Sequence, residues 1–541
     1  MFQHKKYIMR KKFKNINLLL VFVLSFVFSF GQDSTALEKE KLFTLIDYIQ
    51  NYYVEDLNQH TLVEKAIKNI LKDLDPHSVY ISKEAVEKTN EPLKGNFEGV
   101  GIQFNILQDT ILVVATISGG PSEKVGLMAG DKIIKIDQED VAGIKIDNAG
   151  VAKRLRGDKG TEVIVGIKRS EIKKILYFNI VRDKIPIFSI DASYMVNDSI
   201  GYVKINRFAA NTHIEFKEAL DELKEAGMKK LILDLKGNGG GYLKTAFRIA
   251  DEFLDNGRMI VYTEGVNSPK KEMKASHYGT WKTNKIIVLV DQSSASASEI
   301  VSGALQDWDR GLVIGRRTFG KGLVQRPFPL PDGSQIRLTI ADYYTPSGRF
   351  IQKSYAKGTE AYRKELNDRY KSGELTDSMK HAFPDSLKFK TSGGRTVYGG
   401  GGITPDVFVA LDTTGVSDYF MRVVRTGVVN KFVLNYLNKN RKQLKKYYTT
   451  IEYFEANFEI NDTFLEGFVK YAKKNKIEED KEGLKESQAV LATRLKSLFA
   501  RDLFSEEAYY IISNKHLNPS FQKAVEIFEN NQFNKLLNRD F

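Results

Sequence analysis

The chain of 541 residues contains no cysteine. Disulfides, thiolate zinc sites and cysteine nucleophiles are thereby excluded together. Histidine is sparse, with seven residues: His4, His60, His77, His213, His277, His381 and His516. The leading apolar run, "INLLLVFVLSFVFSF", stops at about fifteen residues, short of the ~20 a membrane-spanning helix needs. No internal repeat is visible. What remains is an ordinary folded composition, 42% hydrophobic and 28% charged, with length for three or four domains of roughly 150 residues.

The first thirty residues read as an export leader. "HKKYIMRKKFKN" carries six basic side chains and no acid, the apolar run follows, and Ser29 and Gly31 occupy the −3 and −1 positions of a cut before Gln32. Basic, apolar and small-residue zones in that order form a secretory signal peptide. The expectation is therefore a leader at 1–31, with an uncleaved membrane anchor as the alternative, and an exported protein, periplasmic, and soluble or peripherally membrane-associated once the signal is cleaved. Without a cysteine after the cut, a lipoprotein is excluded. The formal net charge of +13 includes +6 from the leader, so the rest of the chain is near +7. Its basic runs, such as "KYAKKNKIEEDKEGLKE", have helical spacing and interleaved acids. They read as solvated helix faces, and no nucleic-acid partner is expected.

Apolar residues from Thr35 to about Lys72 recur at helical spacing, until Pro76 in "DLDPHSVY" breaks the pattern. From about Lys94 to Arg182 come short β-like runs between glycines, "GVGIQFNI", "TILVVATI", "DKIIKID", "TEVIVGIKR" and "KILYFNIV", with one helical stretch at Asn148 to Leu155. After Pro186, strands alternate with helices, which predicts parallel β–α–β units. The polar stretch 352–395 reads as a surface insertion, and everything after about Val416 is helical by pattern.

Three of the predicted strands end in informative loops: "LILDL" in "KGNGGGY", "IIVLV" in "DQSSASASE" and "GLVIG" in "RRTFGKGLVQ". In parallel α/β architecture the loops after the strands gather along one edge, where ligands bind. Ser296-x-x-Glu299 fits a helix capping box, which by itself explains both residues. A serine at a helix start is also a favourable place for a nucleophile, because its oxygen is exposed and the following amides face its target. None of the histidines lies in these loops. Lys321 does, flanked by Gly320 and Gly322, and lysine becomes a base when desolvation lowers its pKa. Gln325 can orient its amine without adding charge. "GNGGG" offers unobstructed amides for an oxyanion. A phosphate-binding P-loop is rejected because Lys244-Thr245 does not directly follow the last glycine. A β-lactamase reading fails as well: Ser-x-x-Lys occurs at Ser170, Ser268 and Ser354, but neither S-D-N nor K-T-G is present.

Together "SASASEIVSGALQD", "GRRTFGKGLVQ", "LDPHSVYI", "FEGVGIQF", "GLMAGDKIIKID", "LDLKGNGGG" and "GGGGITPD" resemble the C-terminal processing peptidases, or tail-specific proteases, over about residues 40–410. The resemblance implies a serine endopeptidase with Ser296 as nucleophile, Lys321 as general base and Gln325 holding the lysine. The amides of Ala297 and of Gly241, with Gly240 as second choice, would form the oxyanion hole. It implies an α/β fold with a crotonase-like core of β–α–β units (186–410), an inserted β-rich PDZ domain (89–185), and helical segments at 33–88 and 411–541. A PDZ domain captures a chain's terminal carboxylate on backbone amides and adds the tail as a strand. Gly99, Val100, Gly101 and Ile102 would supply that loop, opposite Ala149, Ala152 and Leu155. The implied partners are protein substrates with free, apolar C-terminal tails, with room for an adaptor protein and a homo-oligomer. Neither metal nor cofactor is implied. His77 in the "LDPHS" turn is read as structural. The competing expectation is a catalytically silent PDZ scaffold.

Overall fold

The structure, a computed structural model, describes residues 36–169, 172–377 and 383–538. The leader expected at 1–31, Ser170 and His381 lie outside the described residues. Backbone contacts divide the chain into two compact units, 1–74 and 75–541. The described part of the first contains two helices, 36–52 and Gln59–Leu74, where apolar residues recur at three- and four-residue intervals.

The second unit opens with the turn at Asp75–Ser78, strand β1 (Val79–Ile81) and helix α1 (Lys83–Lys94). The β-rich region follows. Strands Ile102–Ile106, Ile111–Thr116, Lys132–Ile136, Glu162–Lys168 and Leu176–Val181 form an antiparallel sheet, with Glu139–Asp140 paired to the third. Alternation along Glu162–Lys168 turns Val163, Val165 and Ile167 inward, where they join Val151 and Leu155 of the helix Asn148–Leu155. Each such fully buried side chain contributes roughly 1.5–3 kcal/mol. The chain enters and leaves this region through an antiparallel pair, Asn96–Gly99 with Asp183–Pro186.

The central sheet is built from β2 (Ile190–Met195), β3 (Ile200–Ile205), α2 (Thr212–Glu225), β4 (Lys230–Asp234) and α3 (Leu243–Asp251). A hairpin, β5 (Met259–Gly265) and β6 (Ser268–Lys274), belongs to a second sheet. The chain then returns with β7 (Lys285–Val290), α4 (Ala297–Asp307) and β8 (Leu312–Gly315). Two long strands, β9 (Leu323–Pro329) and β10 (Gln335–Tyr344), join the second sheet with β1, helix α5 (Gly358–Lys371) follows, and β11 (Val407–Phe408) closes the central one. The central order is β2-β3-β4-β7-β8-β11, antiparallel only between β2 and β3.

Both faces of this sheet are covered, which is why β7 reads as an unbroken apolar run. Ile286, Val288 and Val290 pack with α2, α3 and α4. Ile287 and Leu289 face the other way, toward Phe521, Ile527 and Phe528 from the end of the chain. The helices between Asp418 and Leu503 and helix α6 (Glu506–Leu517) share a core of their own. Helices α7 (Pro519–Glu529) and α8 (Phe533–Leu537) form the outer layer of the central sheet. Among the described residues no helix is long and apolar enough to cross a membrane.

The stretch 352–395, expected as a surface insertion because it is polar, is also anchored inward by a few of its side chains. Gln352, Lys353, Arg369, Glu374 and Arg395 are buried. Arg317 and Arg369 both pair with Glu374, at 2.8 and 2.9 Å, and Arg395 bridges Asp309 and Asp406 at 2.5 and 2.6 Å. Most of the described stretch is exposed, and these few charged side chains are interior because they are paired and hydrogen-bonded.

Candidate active site

Because β4, β7 and β8 are adjacent and parallel, the loops at their carboxyl ends abut. Backbone hydrogen bonds bind them together. Ala295 N–H donates to the Asn238 carbonyl at 3.0 Å, Leu235 N–H to Leu289 at 2.9 Å, and Phe319 N–H to Ser294 at 2.9 Å. The Ser298 hydroxyl adds a bond to the Asn238 carbonyl at 2.9 Å. The glycine loop, the serine loop and the lysine loop thus form one edge.

Ser296 is the N-cap of α4, with φ 55° and ψ −111°. A non-glycine residue there is strained, at a cost on the order of 1–3 kcal/mol, and persists only where its surroundings hold it. Gly240 sits against it: a Cβ on Gly240 would approach Ser296 Cβ and the Ala295 carbonyl oxygen to 2.8 Å. The two glycines differ in what their amides do. Gly240 N–H is already donated to Asn238 Oδ1 at 2.8 Å, whereas those of Gly241 and Ala297 have no hydrogen-bond acceptor among the described residues. Gly241 is pressed onto the Phe208 backbone, leaving no room for a side chain.

Lys321 donates from Nζ to Gln325 Oε1 at 2.9 Å, and Gln325 Nε2 donates to the His77 carbonyl at 2.5 Å. Burial, and then the nearby positive charge of Arg337, hold the Lys321 ammonium below its ordinary pKa, against opposing contributions from Glu299 and Asp75. Arg337 lines the cleft from β10, its guanidinium donating to Asn90 Oδ1 at 3.2 Å.

Glu299, fully buried, receives four donors. Ser296 N–H (2.8 Å) and Lys321 N–H (2.9 Å) reach one oxygen; the Thr318 hydroxyl (2.5 Å) and Gly320 N–H (2.7 Å) reach the other. Burial raises its pKa, while these donors act in the opposite sense. The buried Tyr343 hydroxyl reaches the carbonyls of Ser296 and Lys321 at 3.1 and 2.6 Å. The glutamate is therefore more than a cap, because it ties the serine and lysine loops to each other.

Ser296, Lys321 and Gln325 line one cleft of about 450 Å³ together with Gly239, Gly240 and Gly241. Leu93, Leu243, Ile300, Leu323 and Val324 give the cleft an apolar wall. A hydroxyl, a desolvated amine and the free Gly241 amide on one cleft, with the Ala297 amide next to Ser296, can perform acyl transfer. Gly99, Val100, Gly101 and Ile102 do not line it. Gly99 ends a strand paired with Asp183, Val100 and Gly101 form the following turn, and Ile102 begins the next strand.

Sequence reasoning missed Tyr343 and Arg337 here, since both come from a strand without a motif of its own. It gave Glu299 a local role and His77 a structural one. The S-x-x-E spacing and the "LDPHS" turn were the signals available for those two.

Comparisons with known proteins agree on one class. Peptidase family S41 matches residues 199–360, the activating protease CtpB N-terminal domain matches 29–85, and a family of unknown function (DUF8443) matches 419–505. The carboxy-terminal processing protease CtpB of Bacillus subtilis is 35% identical over 341 residues, covering 62% of this chain and 70% of that protein. The carboxy-terminal-processing protease of Bartonella bacilliformis is 36% identical over 337 residues, covering 61% and 76%. Among solved structures, a photosystem II D1 C-terminal processing protease aligns at 28% identity over 57% of this chain and 82% of that one, with a TM-score of 0.33. The chain belongs to the carboxy-terminal processing proteases of peptidase family S41. It is a serine-type endopeptidase, and its substrates are proteins.

Proposed function

We propose that the protein is an exported processing protease that cleaves by a Ser296–Lys321 dyad after its β-rich domain, read as a PDZ domain, has taken hold of the substrate's C-terminal tail. One observation carries the chemistry: Ser296, a desolvated Lys321 held by Gln325, and the unpaired amides of Ala297 and Gly241 belong to one strand-end edge and its cleft. Neutral Lys321 accepts the Ser296 Oγ proton as that oxygen attacks the scissile carbonyl carbon. The carbonyl oxygen becomes an oxyanion, and the amides of Ala297 and Gly241 stabilise it. Lys321 then passes the proton to the departing amine, leaving an acyl ester on Ser296. Lys321, again neutral, takes a proton from a water whose oxygen attacks the ester carbon, and returns that proton to Ser296 Oγ as the C–Oγ bond breaks and the product leaves.

The catalytic domain is taken as residues 186–410 with a crotonase-like arrangement, and the tail-binding domain as 89–185. Val100 and Gly101, in the turn before the strand Ile102–Ile106, suit carboxylate capture. An adaptor and a homo-oligomer fit the same scheme. Export rests on the composition of residues 1–31.

Cleavage of an unfolded reporter with an apolar tail tests the assignment. Wild type should cut it, Ser296→Ala and Lys321→Ala should not, and both variants should still bind the tail. A Ser296→Ala variant with full activity would sink the reading. Tail binding without cleavage by wild type would favour the scaffold instead.

A further inference from the structure

Around Lys321 runs a closed hydrogen-bond circuit that the reaction steps do not use. From Lys321 Nζ it passes to Gln325 Oε1, and from Gln325 Nε2 to the carbonyl of His77. The His77 ring nitrogen Nε2 meets the Tyr362 hydroxyl at 2.7 Å. Gln352 Nε2 lies 3.3 Å from that hydroxyl, and Gln352 Oε1 accepts from Gly322 N–H at 2.9 Å, one residue from Lys321. The His77 turn is itself pinned. Asp75 Oδ1 accepts from the amides of His77 and Ser78 at 2.7 and 2.9 Å, and Asp75 Oδ2 from the Ser78 hydroxyl at 2.5 Å. Tyr362 stands on α5, in the polar segment that sequence reasoning left at the surface.

The circuit has a chemical direction. A carbonyl oxygen can only accept, so the group of Gln325 that faces His77 must be the amide nitrogen. The amide oxygen is then obliged to face Lys321. A neutral amine has two N–H bonds and one lone pair. Giving one N–H to Gln325 Oε1 leaves the lone pair for the Ser296 hydroxyl. A reversed amide would donate to that lone pair and remove the base. On the far side the Tyr362 oxygen accepts from Gln352 and shares one hydrogen bond with His77 Nε2, in the direction set by the ring's tautomer. Burial, the largest cause, lowers the His77 pKa to about 4, so the ring is neutral and makes this one bond without carrying a charge beside Lys321.

We infer that Tyr362 and His77 are positioning residues for the reaction: they hold the His77 carbonyl so that Gln325 presents its oxygen, not its nitrogen, to Lys321. This rests on the assignment of Lys321 as base. The test is kcat, KM and the pH profile for Tyr362→Phe, Gln325→Ala and the double variant on the tailed reporter. Tyr362→Phe should lower kcat roughly 10-fold, since small misplacements of reacting groups are costly, and leave KM unchanged. Its acid limb should move to lower pH, because a loosened acceptor no longer favours the ammonium.

In the Gln325→Ala background the same substitution should cost nothing further, the non-additivity expected of residues acting through one another. Should Tyr362→Phe fail to fold, His77→Phe, which retains the edge-to-face ring contact at 5.2 Å, is read in the same way. Losses that multiply in the double variant, or wild-type kcat in a folded Tyr362→Phe, would overturn the inference. Lys321→Ala run in parallel separates the two layers. If it is inactive, either of those outcomes removes only the positioning role. If it is fully active, the base assignment fails and takes this inference with it.

Discussion

The two sides of the cleft are built by different means. The serine side is backbone work: strands β4 and β7 end next to each other, and amide-to-carbonyl bonds such as Ala295 to Asn238 and Leu235 to Leu289 knit their loops. The lysine side is held by side chains from distant parts of the chain, with Gln325 reaching the carbonyl of His77, 248 residues earlier, and Tyr362 bracing that turn. Backbone pairing follows from strand order and tolerates most substitutions. A side-chain circuit depends on each member, so it can be tuned, or broken, one residue at a time.

The sharpest contrast should come from the two proposed reacting groups. Ser296→Ala is expected to lower kcat by about 10³-fold or more while leaving the thermal unfolding midpoint close to wild type. An equal loss in Lys321→Ala would place both sides in one reaction.

Glu299 belongs to both sides, so Glu299→Gln attacks the joint. An amide offers one acceptor oxygen where the carboxylate offers two, and its NH₂ faces donors. The expected cost is about 1–3 kcal/mol per orphaned buried donor, read by urea unfolding, with activity falling as well. A variant as stable as wild type would show that the loops hold their places without it.

The pH profile separates the sides more finely. The proposed mechanism requires neutral Lys321, whose pKa is lowered by burial and then by Arg337. The rate is therefore sustained above that lowered pKa and lost as pH falls through it. Arg337→Gln removes a neighbouring positive charge, favours the ammonium, and should move the acid limb of kcat to higher pH. An unmoved limb would remove Arg337 from the account.

The smallest effect is expected from Tyr343→Phe. It deletes the hydroxyl shared by the Ser296 and Lys321 carbonyls at a cost of about 1 kcal/mol. Measured alongside Glu299→Gln, it shows how much of the coupling lies in the carboxylate.

Much of the serine side was legible in the residues. The apolar run Lys285–Val290 announced a strand covered on both faces, and the glycines and serines after each strand announced a ligand edge. The resemblance placed the expected nucleophile and base on particular positions. Less of the lysine side could be read, because Tyr362 and Arg337 lie in stretches without motif or periodicity pointing at the cleft. The resemblance had already put Gly241 ahead of Gly240, and the structure adds that Gly240 N–H is taken by Asn238. The last two helices carried a helical pattern, but nothing in it said that Phe521 and Phe528 would cover the central sheet.

By itself the sequence indicated the β–α–β alternation and the residue types on the strand-end loops, because periodicity and turn chemistry are local and parallel strands bring such loops to one edge. Tertiary structure alone decided which amides stayed free, which way the Gln325 amide faces, and how far Lys321 is desolvated. Those are properties of groups brought together across hundreds of residues, where hydrogen-bond direction and burial, not composition, decide the outcome.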